Sequence, residues 1–161
     1  MIPLVLPWRG IDAIVDDVRR HGGRGVESGM FVLAAGAVGG AVDTVALLGE
    51  RGITRHPDQL IISGRTLARL FEWADGEGRV VLGQLHSHRQ RAFMSETDRR
   101  FTLTARGFTS VVIPFAATAS PEPRRWGWWC FDGSQWRVTS PASVAVAPVR
   151  IVVLDEEGVH G

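Results

Sequence analysis

Residues 80–98 read VVLGQLHSHRQRAFMSETD, and this stretch decides the fold. Its first part is apolar and rich in valine and leucine, which is typical of a strand buried in the interior of a sheet. His86 and His88 stand at the end of that strand, a polar loop follows, and Ser95 opens a segment with a helical pattern. The stretch therefore predicts a central strand, a loop and a helix, with polar side chains where the strand ends.

The spacing of the polar residues brings three metal-binding groups within reach of one another. Side chains two residues apart point to the same face of a strand, so His86 and His88 present their imidazoles side by side. Asp98 lies one turn into the following helix, and a short loop can fold it back to the pair. Two imidazole nitrogens and one carboxylate oxygen leave a fourth tetrahedral position open, which is the pattern of a catalytic zinc site.

Both halves of this pattern also have an ordinary structural interpretation. Paired histidines on a strand often only hydrogen-bond to their neighbours. Ser95 and Asp98 have the spacing of a capping box, in which the two side chains cap the start of a helix. The two interpretations are compatible, because a capped helix start would also hold Asp98 rigidly.

Helix and strand patterns interleave along the rest of the chain. Apolar residues from Ile11 to Val18 recur at helical spacing, with Asp16 and Asp17 on other faces of that helix. The first half of the chain is expected to contain a strand over 4–6, this helix ending at Gly22, strands over 26–35 and 41–48 joined by a turn at Gly39–Gly40, a loop over 49–60, and a helix from an N-cap at Ser63 to Gly76. The second half is expected to contain the central strand, a helix over 95–105, a strand over 108–115, a hairpin of 126–131 and 134–139 across Asp132–Gly133, and a strand over 148–154.

This order of elements predicts an α/β (α+β) chain with a mixed sheet flanked by helices. The predicted organisation is a single domain over 1–155, followed by a flexible polar tail over 156–161.

The composition restricts the class of protein. A net charge of +1 gives no electrostatic reason to expect nucleic acid or a membrane surface as a partner. No apolar run approaches the ~20 residues of a membrane helix, and the first residues lack the pattern of a signal peptide. The single cysteine, Cys130, excludes a disulfide within the chain and is expected to be a buried small residue. A chain without disulfides suits a reducing compartment, so a cytoplasmic location is expected.

Tryptophans concentrate in the predicted hairpin, which contains Trp126, Trp128, Trp129 and Trp136. Alternation places Trp126 and Trp128 on one face and Trp129 on the other. One face is expected to form an aromatic core, while an exposed tryptophan on the opposite face could instead bind a partner. A stacking platform for nucleic acid is not expected, because few basic residues surround the cluster.

The segment His86-Ser87-His88, followed after six residues by Ser95-x-x-Asp98, resembles the JAMM motif of the JAB/MPN metalloprotease family. That family also has a glutamate on an earlier strand, ahead of a glycine and an apolar run, and the segment beginning Glu27-Ser28-Gly29 matches this placement. The strand ending at Pro114 is similar to the one that follows the motif helix in bacterial members. The resemblance runs from about Val26 to Pro114 and implies the JAB/MPN, cytidine-deaminase-like fold.

The resemblance also implies roles for individual residues. His86, His88 and Asp98 would hold one Zn²⁺ ion. Glu27 would take a proton from the attacking water and pass it to the leaving amine, although by itself a glutamate here could simply be exposed at the start of a strand. Ser95 would donate a hydrogen bond to the tetrahedral oxyanion, or would serve only as the helix cap.

The activity implied is cleavage of the amide or isopeptide bond after the C-terminus of a ubiquitin-like protein, in precursor processing or in deconjugation. The implied partners are that ubiquitin-like protein and its activating and conjugating enzymes, as in some antiphage defence systems. Arg89 replaces the proline that usually follows the second histidine, and the spacing to Ser95 is one residue shorter than the commonest form. Two alternatives remain open: a zinc hydrolase of a small amide or amino-acid adduct on a sulfur-carrier protein, and a non-catalytic MPN scaffold.

Overall fold

A computed structural model describes residues 3–36 and 40–161, and it is built around a mixed sheet with a helix on each face. The elements in chain order are β1 (Val5–Pro7), α1 (Trp8–Gly22), β2 (Gly29–Ala35), β3 (Thr44–Leu48), β4 (Ile53–Arg55), β5 (Leu60–Ile62), α2 (Gly64–Gly76), β6 (Arg79–Ser87), α3 (Glu96–Phe101), β7 (Thr109–Ile113), β8 (Gly127–Phe131), β9 (Trp136–Val138), β10 (Ser143–Ala145), β11 (Arg150–Asp155) and β12 (Gly158–His160). Gly39, half of the expected Gly39–Gly40 turn, lies outside the described residues.

The main sheet has eight strands in the order β12-β11-β3-β2-β6-β7-β8-β9. Strand β11 pairs with β3 in parallel, β6 pairs with β7 in parallel, and the other neighbours are antiparallel. The predicted fold class, a mixed sheet flanked by helices, is therefore confirmed. Strand β6 lies between β2 and β7, so the apolar stretch that ends in His86 occupies the interior of the sheet, as its sequence predicts.

Strand β2 shows how the chain divides its core between the two faces of the sheet. Met30 and Val32 face α1, while Phe31 and Leu33 face the side covered by α2. All four side chains are fully buried. Because alternate residues of a strand point to opposite faces, one continuous apolar run fills both layers. Each such side chain stabilises the fold by about 1.5–3 kcal/mol.

The helices begin and end largely where the sequence predicts. Helix α1 carries its apolar stripe into the core and ends at Gly22. The Ser63 hydroxyl caps α2 by accepting a hydrogen bond from the Thr66 amide. Asp17, expected on an outer face of α1, is instead buried, and its carboxylate points under the sheet toward Ser28.

The segment expected to be a loop over 49–60 contains a hairpin instead. Strands β4 and β5 pair antiparallel, and the His56 amide donates to the Gln59 carbonyl across the turn, 2.8 Å away. The Arg55 guanidinium bonds the carbonyls of Leu48 and Gly49, which ties the hairpin to β3. Pro57 indicated a break in structure, but here it stands in the turn between two short strands, a position that suits proline.

Two further boundaries differ from the sequence prediction. Helix α3 ends at Phe101 rather than near residue 105, because Thr102 is extended and Leu103 packs into the core. The expected flexible tail over 156–161 contains β12, which pairs with β11 across a turn at Gly158, where φ is +126°. The Asp155 carboxylate accepts the Glu157 amide in that turn, which is the local signal that the sequence analysis overlooked.

The tryptophan-rich hairpin forms as predicted across Asp132–Gly133. Trp126 and Trp128 stack with ring centroids 6.1 Å apart and are buried in the core under α1, so the expected aromatic core on one face is confirmed. Cys130 is buried as expected.

Within residues 3–36 and 40–161, no helix combines the length and apolar character that crossing a membrane requires.

Candidate metal centre

The end of β6 is held by backbone pairing on both sides. His86 lies opposite Gly29 of β2 and Val112 of β7 in the sheet register. At the last strand residue, the Ser87 amide donates to the Ser28 carbonyl at 3.0 Å, and one residue further on the His88 amide donates to the Ile113 carbonyl at 2.9 Å. Both histidines therefore project from a part of the backbone that cannot shift independently of its neighbours.

The two imidazoles and the Asp98 carboxylate converge on one point. His86 Nε2 lies 3.3 Å from His88 Nε2 and 3.0 Å from Asp98 Oδ1, while His88 Nε2 lies 3.4 Å from Asp98 Oδ2. His86 is 5% exposed and His88 8% exposed, so the cluster is largely shielded from solvent. The three residues that the sequence singled out as ligands are together in the structure.

These separations suit a tetrahedral zinc ion. Zinc bonds of about 2.0–2.1 Å at tetrahedral angles place neighbouring ligand atoms about 3.3 Å apart. The separations from His86 Nε2 to His88 Nε2, 3.3 Å, and to Asp98 Oδ1, 3.0 Å, are close to that value, while His88 Nε2 approaches the other carboxylate oxygen, Oδ2, at 3.4 Å. Within the described residues, His86, His88 and Asp98 form a group that could hold a metal ion. The donor set and its spacing therefore fit zinc, with one ligand position left over.

Helix α3 presents Asp98 through its N-terminal cap. The Ser95 hydroxyl accepts the Asp98 amide at 3.0 Å, and Asp98 Oδ2 accepts the Ser95 amide at 2.9 Å, which completes a capping box. The capping box that the Ser95–Asp98 spacing predicts is therefore confirmed, and the same carboxylate also faces the imidazoles. Burial acts to raise the pKa of Asp98, but hydrogen bonds with His86 and His88 outweigh it and hold that pKa well below its ordinary value. The group stays a carboxylate, which is the form that binds metal.

Glu27 stands beside this cluster at the start of β2. Its carboxylate Oε1 lies 3.9 Å from His88 Nε2, and the residue is only 4% exposed. Its backbone amide donates to the carbonyl of His56 in the β4–β5 turn, at 2.9 Å. Burial raises the pKa of Glu27 to about 8, against the opposing charges of His88 and Arg89. A carboxyl group with this pKa can both take up and release a proton near neutral pH.

Two cavities open onto the cluster from different sides. The larger, of about 410 Å³, reaches Glu27, His86 and Asp98 and is walled mainly by apolar side chains. We call it the apolar channel; its walls include Leu60, Ile61, Ile62, Leu67 and Leu103. The smaller, of about 150 Å³, is lined by Glu27, His88, Arg89, Arg91, Phe93 and Ser95 among others. The cluster therefore lies where a chain could enter on one side and leave on the other.

The apolar channel and the polar residues behind the site are features that the sequence pattern does not predict. The channel depends on the β4–β5 hairpin, which was read as a loop. Asp17, Ser28 and Ser87 were not recognised as site residues. Asp17 shares one helical face with positions 10, 14 and 21, and in the structure all four residues are buried.

Comparison with known proteins identifies the fold. Neither a protein-family model nor a curated protein sequence matches the chain. Among solved structures, protein DSY2949 from Desulfitobacterium hafniense superposes with a TM-score of 0.65 at 16% identity, covering 91% of this chain and 94% of that one. AF2198, a JAB1/MPN domain protein from Archaeoglobus fulgidus, gives a TM-score of 0.51 at 13% identity, with coverage of 89% and 98%. A protein from Salinibacter ruber gives 0.52 at 23% identity, with coverage of 87% and 90%. At these identities the likeness shows the fold alone, which is similar to that of a JAB1/MPN domain.

Proposed function

We propose that this chain is a zinc-dependent isopeptidase or peptidase of the JAMM type, which hydrolyses the amide bond after the C-terminus of a ubiquitin-like protein. The observation that carries the proposal is the convergence of His86, His88 and Asp98 at tetrahedral ligand spacing, with the carboxyl group of Glu27 beside them.

In this proposal, His86, His88 and Asp98 hold the ion. Bound zinc supplies a Lewis acid that lowers the pKa of water to roughly 7 and polarises the scissile carbonyl. The ring of His88 also makes a hydrogen bond with the backbone of Arg91, which helps to fix its orientation. The JAB1/MPN fold of the structural neighbour AF2198 is consistent with this assignment.

Glu27 acts as the general base and then as the general acid. Burial disfavours the charged form of Glu27. Taking a proton from the attacking water is therefore more favourable for this carboxylate than for an exposed one. The protonated carboxyl then gives that proton to the departing amine. The positive charge of Arg89 next to Glu27, together with that of an ion held by the neighbouring ligands, would favour the ionised carboxylate that starts the cycle.

Ser95 is suited to stabilise the oxyanion while it caps α3. A serine hydroxyl has one donor and two acceptor positions. In the described part of the chain, the Ser95 hydroxyl accepts the Asp98 amide and donates no hydrogen bond, and the residue lines the smaller cavity beside His88. Its proton therefore remains available for the oxygen of the scissile carbonyl, so the capping and catalytic roles do not compete.

The apolar channel supports an extended tail as the substrate, rather than a small amide on a sulfur-carrier protein. A small adduct needs only a compact pocket at the metal. A cavity of about 410 Å³ with leucine and isoleucine walls suits several consecutive residues of an extended chain. The ubiquitin-like substrate, its activating and conjugating enzymes as partners, and a cytoplasmic location belong to this proposal. A non-catalytic scaffold is less favoured, because all five candidate residues are present and close together.

The test uses zinc-loaded protein and fusions in which ubiquitin-like proteins carry a C-terminal extension, beginning with any encoded beside this chain. Mass spectrometry locates the cleaved bond. We expect cleavage directly after the ubiquitin-like C-terminus and, in Glu27→Gln, a loss of about 10²–10⁴-fold in kcat with zinc still bound. Exposed Glu72→Gln on α2 is the matched control and should cleave normally. Wild-type cleavage that persists in Glu27→Gln would rule out the proposed mechanism.

A further inference from the structure

A buried polar chain runs behind the metal centre, from helix α1 to both strands that carry the site. The Ser28 hydroxyl donates a hydrogen bond to Asp17 Oδ2. The Ser28 amide donates to the Ser87 hydroxyl at 2.9 Å, and the Ser87 amide donates back to the Ser28 carbonyl at 3.0 Å. Asp17 is 2% exposed and both serines are fully buried.

The position of the serines in the sequence connects this chain to the site. Ser28 directly follows Glu27, and Ser87 stands between His86 and His88. Since alternate residues of an extended chain point to opposite faces, the serines lie on the α1 side while the three site residues face the cavities. The hydrogen bonds between the serines therefore fix the backbone from which the general base and two metal ligands project.

The buried position of Asp17 is unfavourable for a carboxylate that has no compensating partners. An ionised carboxylate inside a protein costs several kcal/mol unless it is paired and hydrogen-bonded. Arg20 Nη2 lies 2.6 Å from Oδ1, and His21 Nδ1 lies 3.5 Å from Oδ2. Burial acts to raise the pKa of Asp17, but its partners His21, Ser28 and Arg20 lower it below the ordinary value. The carboxylate therefore stays ionised and remains a strong acceptor for the Ser28 hydroxyl.

We propose that Asp17 is a positioning residue, which fixes Ser28 and through it Ser87, and so sets the spacing between Glu27 and the His86–His88 pair. The inference rests on the proposed function, because it concerns zinc affinity and the general base. Asp17 touches neither the ligands nor the cavities, and it acts only through the hydrogen bonds of the two serines.

A purely structural role for Asp17 makes a different prediction. If the carboxylate only anchored α1, its loss would lower the unfolding temperature and leave the folded site intact. If it positions the site, the folded variant itself would bind zinc less tightly, because partners behind metal ligands typically contribute 10–100-fold in affinity. Zinc affinity at a temperature where every variant is folded separates the two roles.

The experiment measures the zinc dissociation constant of the full chain by competition with a chromophoric chelator, after circular dichroism shows each variant to be folded. We expect Asp17→Ala and Ser28→Ala each to raise it about 10–100-fold. Asp17→Asn should lose less zinc affinity than Asp17→Ala, because its amide oxygen can still accept a hydrogen bond from the Ser28 hydroxyl. The double variant Asp17→Ala/Ser28→Ala should bind zinc no more weakly than whichever single variant binds it less tightly, because both changes break the same chain of hydrogen bonds.

Thr44→Val is the matched control, since Thr44 is a fully buried hydrogen-bonding residue of β3 away from the site. It should lose thermal stability and keep the zinc affinity of the wild type. If Asp17→Ala does not fold, the zinc affinity of Ser28→Ala tests the inference instead, because this variant leaves the Asp17–Arg20 ion pair intact. If folded Ser28→Ala binds zinc as tightly as the wild type, or if the losses of zinc affinity add in the double variant, this inference is overturned while the proposed function is not. A wild type that binds no zinc would overturn the proposed function as well.

Discussion

At the scale of single residues, Glu27 is where folding and the proposed catalysis conflict. A buried carboxyl group that must ionise destabilises the fold, and burial raises its pKa to about 8. The ordinary pKa of a glutamate is 4.5, so the folded protein holds this proton over a pH range in which the unfolded chain has released it. Stability therefore falls as pH rises between the two values, and the full cost is present above the higher one.

Removing the charge should relieve this cost. In metal-free protein, Glu27→Gln should be more stable than the wild type by roughly 2–4 kcal/mol above pH 8, with the difference vanishing toward pH 4.5. The measurement is the free energy of unfolding in urea at a series of pH values, with chelator present. Saturating zinc should reduce the difference, because a neighbouring cation favours the ionised carboxylate. A difference independent of pH would contradict the buried, proton-holding state of Glu27.

At the scale of secondary-structure elements, the β4–β5 hairpin determines the shape of the apolar channel. Ile61 of β5 lines the channel and is 43% exposed, so its side chain has apolar surface available for a substrate. Covering that surface with an apolar substrate residue would contribute about 1–1.5 kcal/mol. Ile53, Leu60 and Ile62 of the hairpin pack against the core, so under the proposed function Ile61 is the hairpin residue left to contribute binding free energy to the substrate.

Ile61→Ser should raise KM for the ubiquitin-like fusion, which lowers kcat/KM by about 5–15-fold. Zinc affinity should stay unchanged, and the free energy of unfolding should change by no more than about 0.5 kcal/mol, as expected for an exposed position. Val80→Ser on β6 is the matched control, because Val80 is 45% exposed and does not line either cavity. Equal losses in both variants would show that the channel does not bind the tail.

The elements with strong local signals could be predicted from the sequence. Helix α1, strand β6 and the hairpin at Asp132–Gly133 each have a clear period or turn dipeptide, and all three form as expected. The three-residue strands β4, β5, β10 and β12 could not be predicted, because a segment that short has too little periodicity to detect. They form through pairing partners that only the tertiary structure supplies.

The candidate site follows the same division. The proximity of His86, His88 and Asp98 could be predicted because the two histidines stand two residues apart at the end of one strand and the aspartate follows a short loop, so local geometry nearly fixes their separation. The residues that support them could not, since Asp17 and Ser28 are brought together by the packing of α1 against the sheet. Their importance depends on a contact between elements, which the spacing in one sequence does not encode.

At the scale of the whole molecule, a metal at this site joins the central sheet to α3. His86 and His88 belong to the β6 end, whereas Asp98 belongs to a helix of six residues. A helix that short is not stable alone. Its attachment to the sheet depends on the few contacts that Asp98 and its neighbours make, so the ion should stabilise the entire folded domain and not only its own ligands.

Zinc should therefore raise the unfolding temperature of the wild type. An ion that binds only the folded state contributes about 2.7 kcal/mol at a free concentration 100 times its dissociation constant. For a chain of this size, that corresponds to a rise of about 5–10 °C. Calorimetry with buffered zinc, against the chelated protein, measures the effect. Glu27→Gln should still show a rise because Glu27 is not a ligand, but a smaller one, since it lacks the carboxylate that a neighbouring cation favours.

The control must separate this site from a second group of possible ligands. Asp155, Glu157 and His160 also lie close together, on the more exposed β11–β12 hairpin. If the rise comes from the proposed centre, His86→Ala should abolish it and His160→Ala should retain it. The opposite pattern would place the stabilising ion on the hairpin, and no rise in the wild type would show that the imidazole pair and Asp98 do not bind zinc.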